Sequence, residues 1–230
     1  GSMLAQDLKP DRLEAAKNVS QDFFAGRPND RIGLVVFAGE AFTQCPLTTD
    51  HVIIEDMLDD IKSGLIQDGT AIGDGLATAI NRLKESQAIS KVVILLTDGQ
   101  NNAGSIAPLS AAEIAKIYGI RIYTIGGGTI GYAPYPVQTP FGIQYQSMEV
   151  NIDEDLLKKV ANMTEGKYFR ATDNTKLKEV YQEIDRLEKS KIDVTEFRKK
   201  HEEYRTLALI AFLLLALESL SRLTIFRSIP

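Results

Sequence analysis

Lys91-Val92-Val93-Ile94-Leu95-Leu96-Thr97-Asp98-Gly99 is the stretch from which the rest of the chain can be read. Residues 92–96 are apolar without interruption, as in a strand buried on both faces, and Thr97-Asp98-Gly99 turns the chain at its carboxyl end. Arg31-Ile32-Gly33-Leu34-Val35-Val36-Phe37 repeats that pattern upstream, and residues 120–125 repeat it downstream. Between these strands lie stretches with apolar residues three and four apart. Residues 11–24 carry Leu13, Ala16, Val19 and Phe23 on one face. A helix capped by Thr49 or Asp50 carries Val52, Ile53, Met57, Leu58 and Ile61, and Asp68-Gly69-Thr70 opens another through Ile72, Leu76, Ala79, Ile80 and Leu83. Further helices are expected over residues 110–118, 153–163 and 176–187, and a short strand over 167–171. Residues 41–46 read as an antiparallel edge strand ended by Pro46. Alternating strands and helices of this kind predict an α/β fold: a doubly wound, mainly parallel sheet with helices on both faces. Such a sheet normally begins with a central strand, whereas the first element here is a helix. The first central strand is therefore expected to be missing from this stretch of sequence.

Bulk properties narrow the function. The chain has 230 residues, enough for one α/β domain and an appendage, with 44% hydrophobic and 25% charged residues. A net charge of −5 excludes the basic footprint of a nucleic-acid binder. One cysteine, Cys45, and two histidines, His51 and His201, rule out an intramolecular disulfide and argue against a thiolate or histidine metal cluster. Gly126 to Gly131 matches G-x-G-x-x-G after a strand, but Tyr132-Ala133-Pro134-Tyr135-Pro136 follows where the dinucleotide motif needs a helix. Residues 99–105 have phosphate-loop glycine spacing without the lysine, and read as a loop. Cys45 lies in a strand without a paired base, and acidic pairs such as Asp59-Asp60 read as solvated helix faces. Nothing in the pattern supports an enzyme.

Ligands of doubly wound sheets bind at the carboxyl ends of the strands, which points to Asp98. A hard divalent cation wants about six oxygens, and hydroxyls and carboxylates on neighbouring loops can supply them. The candidates are Ser2, Thr70 and Asp98. A turn aspartate and a helix-capping threonine account for the last two equally well.

Three segments carry a family resemblance: Gly1-Ser2-Met3, Asp68 to Leu76, and Leu95 to Gly99. In that order they resemble the metal-site segments of von Willebrand factor A domains, and residues 31–38 resemble the family's second strand. The resemblance covers residues 1–190. More narrowly, residues 4–13, the inserted segment 126–150 and the apolar C-terminus resemble the bacterial membrane-anchored Bat (aerotolerance operon) proteins. It implies a metal-ion-dependent adhesion site of the form Asp-x-Ser-x-Ser, then Thr, then Asp. Ser2 matches the last serine, Thr70 the threonine and Asp98 the aspartate, which acts through a metal-bound water. The motif's first Asp and Ser, like the first strand, fall before Gly1, and Gly1-Ser2 reads either as native sequence or as a tag remnant. Magnesium or manganese is thus expected for the whole family member, and weak or absent binding for these 230 residues.

The resemblance further implies a protein partner bound through an acidic side chain, with other Bat proteins and a MoxR-type ATPase as partners in stress tolerance or envelope assembly. It implies a bacterial inner-membrane location with the domain on the periplasmic side. Residues 126–150 read as a loop or hairpin insertion, 191–206 as a charged linker or helix, and 207–226 as a transmembrane or apolar anchor helix. A metal-independent scaffold is the alternative, and an unrecognised α/β hydrolase using Asp98 a more distant one. A sheet without its central strand also leaves a slot that a second copy could fill, through a homo-oligomer or strand swap.

Overall fold

A short 3-10 turn over Ser2–Leu4 leads into α1 (Arg12–Ala25), whose cap Asp11 accepts the Glu14 N–H. This is seen in a computed structural model that describes residues 1–129, 131–140, 142–200 and 204–224. The chain forms two units, Gly1–Asp185 and Arg186–Pro230. In the first unit α1 is followed by β1 (Ile32–Phe37), β2 (Ala41–Thr48), α2 (His51–Asp59) and α3 (Ile72–Leu83). Then come β3 (Lys91–Thr97), α4 (Pro108–Ile117), β4 (Ile120–Gly127), the hairpin β5 (Gly131–Thr139) and β6 (Gly142–Val150), α5 (Glu154–Met163) and β7 (Tyr168–Ala171). Helix α6 (Asn174–Lys200) begins there and runs on into the second unit.

Strands β3, β4 and β7 form a parallel sheet in the order β3-β4-β7, with Lys91 opposite Ile120 and Thr97 opposite Gly126. The antiparallel pair β1-β2 is a separate sheet, and so is the β5-β6 hairpin. No ladder joins β1 to β3 among the described residues, which is where the expected central strand would pair. Helix α3 packs on β1, β2 and β3 and so holds the two sheets side by side.

The core follows the alternation of the strands. Val93 and Leu95 of β3 and Ile120 and Ile122 of β4 pack under Ile72, Leu76 and Ile80 of α3, Ala111 and Ala115 of α4, and Leu157 and Val160 of α5. Gly73 lets α3 approach so closely that a Cβ there would stand 1.8 Å from the Ile106 carbonyl oxygen. A second cluster covers β1-β2 with Phe24 of α1 and Ile54 and Leu58 of α2, around the buried thiol of Cys45. Burial pushes that thiol's pKa up, as suits an inert core residue.

Two expectations are corrected. Strand β2 does not end at Pro46 but runs to Thr48. The register jumps between Leu34↔Cys45 and Ile32↔Thr48, so Pro46 sits in a bulge where its missing N–H breaks no pair. Helix α6 does not stop near residue 187 but continues to Lys200 and takes in most of the expected linker. In the second unit α7 (Tyr204–Thr224) takes in residues 207–224 of the expected anchor, whose last two positions lie outside the described residues, and Leu209, Phe212, Leu213 and Leu217 are 62, 70, 56 and 69% exposed. Ile210, Leu214 and Leu215 are exposed as well, so the apolar exposure between positions 209 and 217 is not confined to one face. No described helix is long and apolar enough to cross a membrane. Glu218 and Arg222 interrupt the apolar run within its last two turns.

Candidate metal and partner site at the strand ends

The three residues singled out from the sequence converge at the carboxyl end of β3. Asp98 follows Thr97 directly and is 7% exposed. The Ser2 hydroxyl donates to Asp98 Oδ1 at 2.8 Å, across 96 residues of sequence. Thr70 lies over the next residue, its Oγ1 3.3 Å from where a Cβ on Gly99 would be.

Thr70 is fixed by side chains whose role the sequence does not reveal. Asn102 Oδ1 accepts the Thr70 N–H at 2.8 Å, while the Asn102 N–H donates to the Thr70 carbonyl at 3.1 Å. Asn101 Oδ1 accepts from the N–H groups of Ile72 and Gly73, doing for α3 what its own N-cap Ala71 cannot. The Asp74 carboxylate in turn accepts from the N–H groups of Ser105 and Ile106. The loop after β3 and the start of α3 are thus cross-linked into one platform beneath Thr70.

Asp98 has a second and stronger partner. Arg12 Nη1 donates to Asp98 Oδ2 at 2.8 Å, while Nε and Nη2 form a fork on Asp7 at 2.7 and 2.6 Å. The side chains of Arg12, Asp7 and Asp98 are 3, 3 and 6% exposed, so the cluster is a buried one with two carboxylates on one guanidinium. Burial works against the charge on Asp7, yet the Arg12 hydrogen bonds and the Thr129 N–H outweigh it and hold that carboxyl at about 2. Burial likewise opposes the Arg12 charge and is outweighed by its bonds to Asp7 and Asp98, which raise its pKa. A small cavity beside the cluster is lined by Met3, Leu8, Arg12, Asp98 and Leu177 among others.

The donor set matches a hard divalent cation in kind, with two hydroxyls, one carboxylate and no soft ligand. It falls short in charge. Both Asp98 oxygens are already engaged, one by a cation, and no three His, Cys, Asp or Glu residues group as a metal site among the described residues.

The model of the von Willebrand factor type A domain matches residues 1–183. The chain belongs to that family. An uncharacterised protein of Borreliella burgdorferi is 30% identical over 89% of this chain and 60% of its own length. The chain thus spans about three fifths of that curated relative. The crystal structure of a conserved hypothetical protein BatB from Bacteroides thetaiotaomicron is 33% identical, with a TM-score of 0.71 over 82% of this chain and 94% of that one. An aerotolerance-related membrane protein from Bacteroides fragilis is 30% identical, with a TM-score of 0.68 over 80% of this chain and 92% of that one. A mussel-byssus proximal thread matrix protein, solved with a zinc-occupied MIDAS motif, is 25% identical with a TM-score of 0.60 over 80% and 43% of the two chains. The resemblance to Bat proteins read from the sequence therefore holds, and divalent-metal binding occurs within the fold family.

Proposed function

We propose that this von Willebrand factor type A domain is a non-enzymatic protein-binding module whose partner docks at the carboxyl end of β3 through a divalent cation. The observation that carries this reading is the meeting of Ser2, Thr70 and Asp98 at one strand end. Ser2 and Thr70 would offer their hydroxyls to the ion, and Asp98 would act through a bound water. The ion would supply the positive charge that an acidic side chain of the partner recognises. Asp98 has one oxygen on Ser2 and one on Arg12, which suits holding and orienting rather than proton transfer.

Charge sets how tightly the ion binds. One carboxylate, already facing a guanidinium, gives these 230 residues weak magnesium or manganese affinity, and a further carboxylate ligand is needed for a strong site. Attachment to a membrane through α7 belongs to the same reading, supported by its exposed leucines and by the relative described as a membrane protein. The role in aerotolerance is carried over from that relative in the same way.

Arg12 on Asp98 favours one other reading, a scaffold that binds its partner without metal. Affinity capture with the full-length protein separates the two. Retention of a partner that is lost on chelation, and lost equally in Thr70→Ala, supports the metal-dependent reading. Retention that survives both favours the scaffold.

A further inference from the structure

Arg12 occupies the first position of α1, where the helix dipole disfavours a cation. Its guanidinium is nevertheless buried, fully forked, and shared between two carboxylates from different parts of the chain. An isolated charge could not stay there; the two acids hold it, and it holds them.

The same cluster reaches a second element. Asp7 Oδ2 also accepts the Thr129 N–H at 2.7 Å and the Thr129 hydroxyl at 3.1 Å, at the point where the chain leaves β4 for the hairpin. Gly128 beside it has φ +110°, and a Cβ there would stand 2.5 Å from Arg12 Nη2, so the backbone is pressed against the guanidinium. The far leg of the hairpin is fastened nearby: Gln100 Nε2, two residues beyond Asp98, donates to Asn151 Oδ1 at 2.9 Å. Between these anchors the Gln6 N–H donates to the Pro134 carbonyl, and Ala133 is buried. The Tyr135 hydroxyl stands 3.5 Å from where a side chain on Gly1 would begin.

We propose that Arg12 is the positioning residue of the strand-end site, fixing the Asp98 carboxylate towards Ser2 and, through Asp7 and Thr129, making the β5-β6 hairpin a wall of that site. A partner bound at Asp98 then lies against Tyr135, and hairpin and site are held in one register by a single guanidinium. Only arginine can do this, because a planar fork serves Asp7 with two N–H groups while a third reaches Asp98. Lysine keeps the charge and loses the simultaneous geometry.

This inference rests on the strand end being the partner site, and its test can fail independently of that reading. Backbone amide NMR on the full chain compares Asp98→Asn, Arg12→Lys and Thr129→Val. Asp98→Asn is expected to shift the Thr129 and Gln6 amides, which Asp98 does not touch, and that transmission should vanish in the Arg12→Lys background. Thr129→Val, which leaves the ion cluster intact, is expected to shift the Ser2 and Gly99 amides and to speed exchange at Gln6 by about tenfold. In the capture assay Thr129→Val should lower partner retention several-fold at an unchanged melting temperature. Perturbations from Asp98→Asn that stop at Ser2 and Gly99, or a Thr129→Val protein with an unaltered strand end, overturn the proposal. Should Arg12→Lys not fold, the other two variants still decide it. A partner retained regardless of chelation refutes the metal-dependent reading and leaves the Arg12 relay to be judged by the shifts alone.

Discussion

Along β4 every side chain except Arg121 is buried, whereas along β1 none is. Their sequences, Ile120 to Gly127 and Ile32 to Phe37, are comparably apolar, so composition does not explain the difference. Neighbours do. Strand β4 has β3 on one edge and β7 on the other, with α4 and α5 packed on it. Strand β1 has β2 on one edge and no ladder on the other among the described residues. An apolar run reports that both faces of a strand are covered; it does not report how many of its edges are paired.

That contrast can be broken or sharpened by mutation. The largest effect is expected where packing and charge coincide, outside both strands. Arg12→Met leaves Asp7 and Asp98 buried without their cation and should cost about 3–5 kcal/mol in denaturant unfolding. Next, Ile122→Ala opens a cavity at a site with 0% exposure, and should cost about 2–5 kcal/mol in the same assay. Acid acts on the smaller scale of one carboxyl. Asp7 titrates at about 2 when folded against 3.8 ordinarily, so its contribution of about 2 kcal/mol is present above pH ~4 and is lost as pH falls towards 2. The unfolding midpoint should therefore drop through that window, and Asp7→Asn should flatten the drop. Val35→Ala in β1, partly buried on a strand paired along one edge, should cost only about 1 kcal/mol, and a loss equal to that of Ile122→Ala would mean that β1 is enclosed as β4 is.

Much of the scaffold was legible because local rules agreed. Periodicity from Ile72 to Leu83 marked α3, which starts two residues after the Asp68-Gly69-Thr70 read as opening it, and five apolar residues in a row marked β3. Pro46 misled because a proline that ends a central strand is tolerated in an edge bulge. The site was legible only in part. Asp98 follows from the strand-end rule, whereas Ser2 rests on the family resemblance, and Thr70 needed it to be told from an ordinary capping residue. Arg12 and Asp7 left no such signal. An arginine at the head of an amphipathic helix reads as solvated, and its partner Asp98 lies 86 residues away. Asn101 and Asn102 read as loop residues because the N–H groups they accept from belong to the start of α3 and to Thr70 just before it, some thirty residues earlier.

Site-directed photo-crosslinking of the full-length protein tests the central claim most directly. One probe replaces Gln67, exposed in the loop before Thr70; the other replaces Ile117, 79% exposed at the end of α4. Position 67 is expected to capture a protein partner, chelation to abolish the capture, and position 117 to capture none. Equal capture from both positions, unaffected by chelator, would contradict a cation-dependent binding surface at the carboxyl end of β3.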